Sequence, residues 1–123
     1  MAKDARQEFV DRVKEIDPTF KKGDLRTFWP RLRTLIALAP DRVDVSKKKS
    51  HYLASLAARS LARGDPEAAL EFLEYADRML DANHLTAFLR EERIEFRKMA
   101  EQAIRDRAES TETPNYQTSL RRG

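Results

Sequence analysis

The chain has no cysteine. That excludes disulfide bonds, thiolate zinc sites and a cysteine nucleophile. Only two histidines are present, His51 and His84, 33 residues apart. They are too few for a self-sufficient metal cage and read as ordinary surface or cap-proximal side chains. Three glycines occur in the whole chain, and none belongs to a phosphate-cradling loop or a G-x-S-x-G nucleophile elbow. Uncharged stretches such as Thr34 to Pro40 fall far short of the roughly 20 apolar residues that a membrane span needs. The opening MAKDARQEF lacks the apolar segment of a secretory signal. These absences point away from an enzyme and from any cofactor, metal or small-molecule substrate. The expectation is a soluble, cytoplasmic protein that works by binding.

Charge and helical periodicity are what the sequence does have. Charged residues make up 37% of the chain, yet the 24 basic and 21 acidic ones leave a net charge of only +3. They are interleaved along the sequence. A balance of this kind permits contact with nucleic acid without arguing for it. Apolar residues recur at helical spacing, which predicts an all-α fold of about five helices. Residues 1–109 are expected to form one domain, and residues 110–123, where the apolar period vanishes, a flexible tail.

The organising stretch is Gly64 to Leu80. Gly64 suits a helix end, Asp65 a cap and Pro66 a first helical position. Ala69, Leu70, Leu73, Ala76, Asp77 and Leu80 follow at helical spacing, and Phe72, Tyr75 and Met79 form a second stripe on another side. A helix apolar on two sides is expected to be sandwiched between neighbours.

The first helix is expected from about Asp4 to Ile16, where Asp17-Pro18 interrupts it, with room for one more short turn from Pro18 to Lys22 that points Phe20 inward. The second follows Gly23-Asp24. Its start is open: with Asp24 as cap, Pro30 lies in the second turn, and with Thr27 as cap it lies in the first. Asp41 to Val45 reads as a polar connection. A third helix then runs to about Arg63 with a stripe of Leu53, Leu56, Ala57, Ser60 and Leu61. The last helix is expected from about His84 to Arg107, with Leu85, Phe88, Leu89, Phe96, Met99, Ala100 and Ala103 near one face and Glu92 interrupting it.

Gly-Asp occurs at Gly23-Asp24 and again at Gly64-Asp65, 41 residues later. Phe28, Leu32 and Leu35 then answer Ala69, Leu73 and Ala76. Two helix–turn–helix units and a covering helix make a short repeat array. On these residues the chain resembles the tetratricopeptide-repeat family. Leu56 and Ala57 match the first helix of its repeat, Gly64-Asp65 its turn, and Ala69, Leu73 and Ala76 its small–large–small pattern. Leu35 to Asp41 is similar to its end-of-repeat segment, with Pro40 in place. A repeat of 41 residues is longer than the family's. The resemblance implies stacked helical hairpins with a concave face that holds peptides.

Two groups of residues are candidate sites. Lys47, Lys48 and Lys49 are read at the start of the third helix, where cations oppose the helix dipole. With His51 and Tyr52 they make either a phosphate-binding site on nucleic acid or a plain solvated turn. Trp29, with Arg26 and Arg33, is either core or an anchor for a protein partner, since Trp and Arg are enriched in binding hot spots. Glu91, Glu92 and Glu95 interleave with Arg90, Arg93 and Arg97, so they read as a salt-laced solvated face. The reading is therefore an interaction module or adaptor subunit that binds another protein, with a small basic subunit of a nucleoprotein complex as the alternative.

Overall fold

The structure, a computed structural model, describes residues 4–120 of the chain, and the side chains of residues 4–109. The expected tail, 110–123, lies outside the residues whose side chains are described. The fold is all-helical. It comprises α1 (Ala5–Lys21), α2 (Leu25–Leu38), α3 (Val43–Ala62), α4 (Pro66–Met79), a 3-10 turn (Ala82–His84) and α5 (Ala87–Leu120). No strand occurs among the described residues.

The two Gly-Asp pairs make the same turn. Gly23 and Gly64 take positive φ angles of 86° and 79°. The amides of Asp24 and Asp65 reach back to the carbonyls of Thr19 and Ser60, and those of Gly23 and Gly64 to Phe20 and Leu61. This is a Schellman motif, which satisfies the last carbonyls of the preceding helix. Each aspartate then caps the next helix, Asp24 accepting from the Thr27 amide and Asp65 from the Ala68 amide. The Asp24 cap settles where α2 begins, so Pro30 lies inside the helix. As a result α2 and α4 are both 14 residues long, with bounds 41 residues apart at each end.

α1 pairs with α2 and α3 with α4. α1 also packs on α3, and α5 lies across α3 and α4. The larger core group joins Phe9, Val13, Ile16 and Phe20 of α1 to Phe28 and Leu32 of α2, Leu53 and Leu56 of α3, and Phe72 and Tyr75 of α4. Phe20, Phe28 and Phe72 meet with ring centroids 5.2–6.5 Å apart, the tilted and edge-on contacts that aromatic quadrupoles favour. A smaller group packs Ala57, Ala69 and Leu73 against Ala100 of α5. Small residues there let the helix axes approach. α4 is thus covered on both sides, with Phe72 and Tyr75 toward the first hairpin and Ala69 and Leu73 toward α5.

Three expectations about boundaries need correction. α1 does not stop at Ile16 but continues through Pro18 to Lys21. Pro18 removes one backbone donor on an exposed face, while Asp17 is fixed in helical conformation by bonds to α3. α3 begins at Val43, within the expected connection, and buries Val45. α5 begins at Ala87, and Phe88 and Met99 are 70% and 53% exposed. Arg93 is buried on α5, as Ala100 is, and faces Asp77 of α4 at 3.4 Å. Burial there pushes the Arg93 guanidinium below its ordinary pKa, and Asp77 partly offsets the effect.

The open edge of the first hairpin is finished in polar residues. In the second hairpin Leu53, Leu56, Phe72 and Tyr75 are buried. Forty-one residues earlier stand Arg12, Glu15, Arg31 and Thr34, all exposed and lining one shallow cleft. The same backbone pattern therefore stacks on one side and faces solvent on the other.

Candidate functional site

α1 and α3 lie side by side and leave a groove between them. Its floor is apolar, made of Phe9, Val10, Val13, Pro18 and the Tyr52 ring, and its volume is about 430 Å³. Its rim is basic, with Lys14 and Lys21 on α1 and Lys48, His51 and Arg59 on α3. The α1 contributions arise from helical spacing, since Val10, Lys14, Asp17 and Lys21 share one side of that helix.

At the amino-terminal end of α3 the groove opens into a cleft of about 720 Å³. Arg6, Arg42, Lys47 and Lys48 line it, with His51, Val43, Leu89 and a single carboxylate, Asp44. Lys48 and His51 line both spaces, so groove and cleft adjoin at these two side chains.

The acids in this region are already engaged. Asp44 accepts from Arg42 at 3.0 Å and from the Val45 amide at 2.9 Å. Asp17 takes two bonds from Arg59, at 2.9 and 3.2 Å, and one from the Tyr52 hydroxyl at 2.6 Å. Burial pushes the Asp17 carboxyl up, but the hydrogen bonds from Arg59 and Tyr52 and the charges of Arg59 and Lys21 outweigh it and hold the pKa below its ordinary value. The Tyr52 hydroxyl is driven well above its usual range by burial and by the Asp17 carboxylate. It stays a donor at any physiological pH. By contrast Arg6, Lys14, Lys47 and Lys48 form no ion pair with any described residue.

The three candidate lysines separate. Because α3 starts at Val43, all three stand beyond its first turn, and the expected conflict with the helix dipole does not arise. Lys47 and Lys48 are exposed in the cleft. Lys49 turns inward, is 5% exposed, and donates its Nζ to the Ala39 carbonyl at the end of α2 at 3.0 Å. Burial lowers its pKa, partly offset by Asp41.

Trp29, Arg26 and Arg33 lie on α2, away from the groove. Trp29 is half-buried and meets Phe72 and Tyr75 edge-on at 4.9 and 5.0 Å. The Arg33 guanidinium stacks over its ring at 5.2 Å. The ring therefore ties the first hairpin to the second, and Arg26 remains exposed. His84 sits between Asp41 and Ser46, with its Nδ1 at 3.4 Å from the Asp41 carboxylate and 3.2 Å from the Ser46 hydroxyl. Glu91 and Glu95 are exposed, while Glu92 is half-buried with Oε1 unbonded by protein. No group of three metal-binding side chains comes together among the described residues. Nor is any described helix long and apolar enough to cross a membrane.

Sequence reasoning found Lys47, Lys48 and His51 but missed Arg6, Lys14, Arg42 and Arg59. For Arg6 and Lys14 the signal is the spacing of cations along one side of α1, which acquires meaning only when α3 is placed beside it; Arg42 and Arg59, at the two ends of α3, carry no such pattern. Set against protein-family models, curated proteins and solved structures, the chain matches none.

Proposed function

We propose that this chain is a non-enzymatic adaptor that holds an extended segment of a partner protein in the groove between α1 and α3. The observation that carries this reading is the pairing of an apolar floor with a basic rim on which Lys14 and Lys48 form no ion pair with any described residue. An apolar floor takes alternate side chains of a bound segment, and unpaired cations select segments rich in acid. The 41-residue register shared by α2 and α4 supports the repeat-like architecture that the sequence resemblance implies, in which stacked hairpins leave a concave face.

Arg6, Lys47 and Lys48 also favour the second reading, contact with nucleic-acid phosphates. Against it, the groove's one tyrosine has its hydroxyl tied to Asp17, and its ring lies in the floor instead of standing out for a base to stack on.

The test is a peptide-display selection on the full chain, followed by titration of the selected peptides and of generic single-stranded RNA and DNA at two salt concentrations. The adaptor reading expects selected peptides that combine acidic and apolar positions and lose affinity with Val10→Glu. Tight nucleic-acid binding whose log affinity falls with log salt at about −0.7 per phosphate contact would favour the second reading. Selection of no peptide would defeat the first.

A further inference from the structure

The cleft at the end of the groove gathers positive charge from two helices. Four cations, Arg6, Arg42, Lys47 and Lys48, face one space. Its only carboxylate, Asp44, is consumed by Arg42 and by the Val45 amide. Three cations from two helices are left without an ion pair among the described residues. Elsewhere some cations are paired, Arg12 with Glu8, Arg93 and Arg97 with Asp77, Lys98 with Glu95 and Arg107 with Glu67, and others such as Arg26 and Arg31 stand singly on exposed faces. What sets the cleft apart is that three such cations, from two helices, line one space.

We infer that the cleft receives a phosphorylated serine or threonine of the partner segment whose apolar residues occupy the groove. This inference rests on the adaptor reading and adds the chemistry of one position. A carboxylate brings one charge. A phosphomonoester brings about −1.5 to −2 charges and three strong acceptor oxygens. Two lysines and an arginine supply ammonium and guanidinium donors to those oxygens. Because the two spaces adjoin at Lys48 and His51, one extended chain can reach both. Deeper, the groove offers Val10, Val13 and Pro18, so specificity comes from apolar side chains while the cleft reads the modification.

The experiment uses the full chain and two oriented peptide libraries, identical except for a fixed central phosphoserine or serine. A matched set with glutamate at that place and generic single-stranded RNA serve as competitors. Peptides containing phosphoserine are expected to bind at least about tenfold tighter than their unmodified forms, the equivalent of one charge-assisted hydrogen bond. Phosphatase treatment should release them. The double variant Lys47→Gln/Lys48→Gln should shrink that ratio toward one, whereas Lys98→Gln, far from the cleft on α5, should leave it intact. Circular dichroism of each variant separates lost binding from lost fold. Equal binding of both libraries, or of the glutamate set, overturns the inference while leaving the adaptor reading in place. Binding of neither library overturns both. RNA displacing the phosphopeptide at lower concentration than any peptide does would replace the inference with nucleic-acid recognition.

Discussion

Asp17 of α1 and Arg59 of α3, 42 positions apart in sequence, form a two-pronged ion pair at 2.9 and 3.2 Å. The Tyr52 hydroxyl donates to the same carboxylate from one side, and Lys21 approaches it at 3.9 Å from the other. The guanidinium also stacks over the Phe20 ring at 4.5 Å. One carboxylate thus fixes the spacing of the two helices that form the groove.

The Asp17 network sets a pH dependence. Its carboxyl pKa is lowered in the folded protein from an ordinary 3.8. A depressed folded pKa contributes stability that is present above the unfolded value and lost as pH falls through the folded one. Asp17→Asn is expected to cost about 1.5–3 kcal/mol at neutral pH, as for hydrogen bonds to a charged group. The gap between variant and wild type should then narrow below about pH 4, where the unfolded carboxyl takes up its proton. Urea unfolding at several pH values measures both. A gap independent of pH would show that Asp17 acts through packing alone.

The two glycine turns should respond alike. An added Cβ at Gly23 or Gly64 meets no atom within 4 Å, so nothing but backbone conformation resists it. Gly23→Ala and Gly64→Ala are each expected to cost about 1–2 kcal/mol, the penalty for an L-residue in the left-handed region. Thermal unfolding of the two single variants checks this. Costs that differ by several-fold would show that the two turns, though alike in hydrogen bonding, are not equivalent in energy.

Leu73 tests the sandwiched central helix. It is fully buried against Ala57 and Ala100, while Glu71 on the same helix is exposed. Leu73→Ala is expected to cost about 2–5 kcal/mol, and Glu71→Ala no more than about 0.5 kcal/mol. Equal costs in denaturant unfolding would place the apolar face of α4 elsewhere.

The parts of this fold that sequence reasoning found are those fixed by local chemistry. Gly23-Asp24 and Gly64-Asp65 carry both the helix stop and the next cap, so two hairpins were legible without any tertiary contact. The missed parts depend on partners distant in sequence. Pro18 reads as a breaker until Arg59 and Tyr52 hold Asp17 in the helix. Arg93 reads as surface until Asp77 receives it, which is why Phe88 and Met99 were assigned inward. The start of α3 carries no capping signal, because Arg42 makes no side-chain cap bond. For the groove, Lys47 and Lys48 stood out as a run, but Arg6 and Lys14 are spaced like any solvated helix face. Lys49 looked identical to its neighbours, and only the position of α2 distinguishes it.

Lys49 therefore gives the sharpest test of how the lysine run divides. Its ammonium donates to the Ala39 carbonyl at the carboxy-terminal end of α2, where the helix dipole favours a cation. Lys49→Met keeps the apolar stem and removes the donor. Two effects then compete. Relief of the buried charge favours the variant, since burial already lowers the Lys49 pKa. Loss of a charge-assisted bond and of a cation at a helix end opposes it, leaving a carbonyl without its partner. The second effect is the larger if a partly buried acceptor costs its usual 1–3 kcal/mol or so when abandoned. Lys49→Met is accordingly expected to destabilise the protein by about 1–3 kcal/mol, and Lys47→Met, which touches no acceptor, to change stability by less than about 0.5 kcal/mol. Paired urea titrations of the two variants decide it. If Lys49→Met proves more stable than wild type, the charge is a burden, and the contact to Ala39 does not hold the two hairpins together.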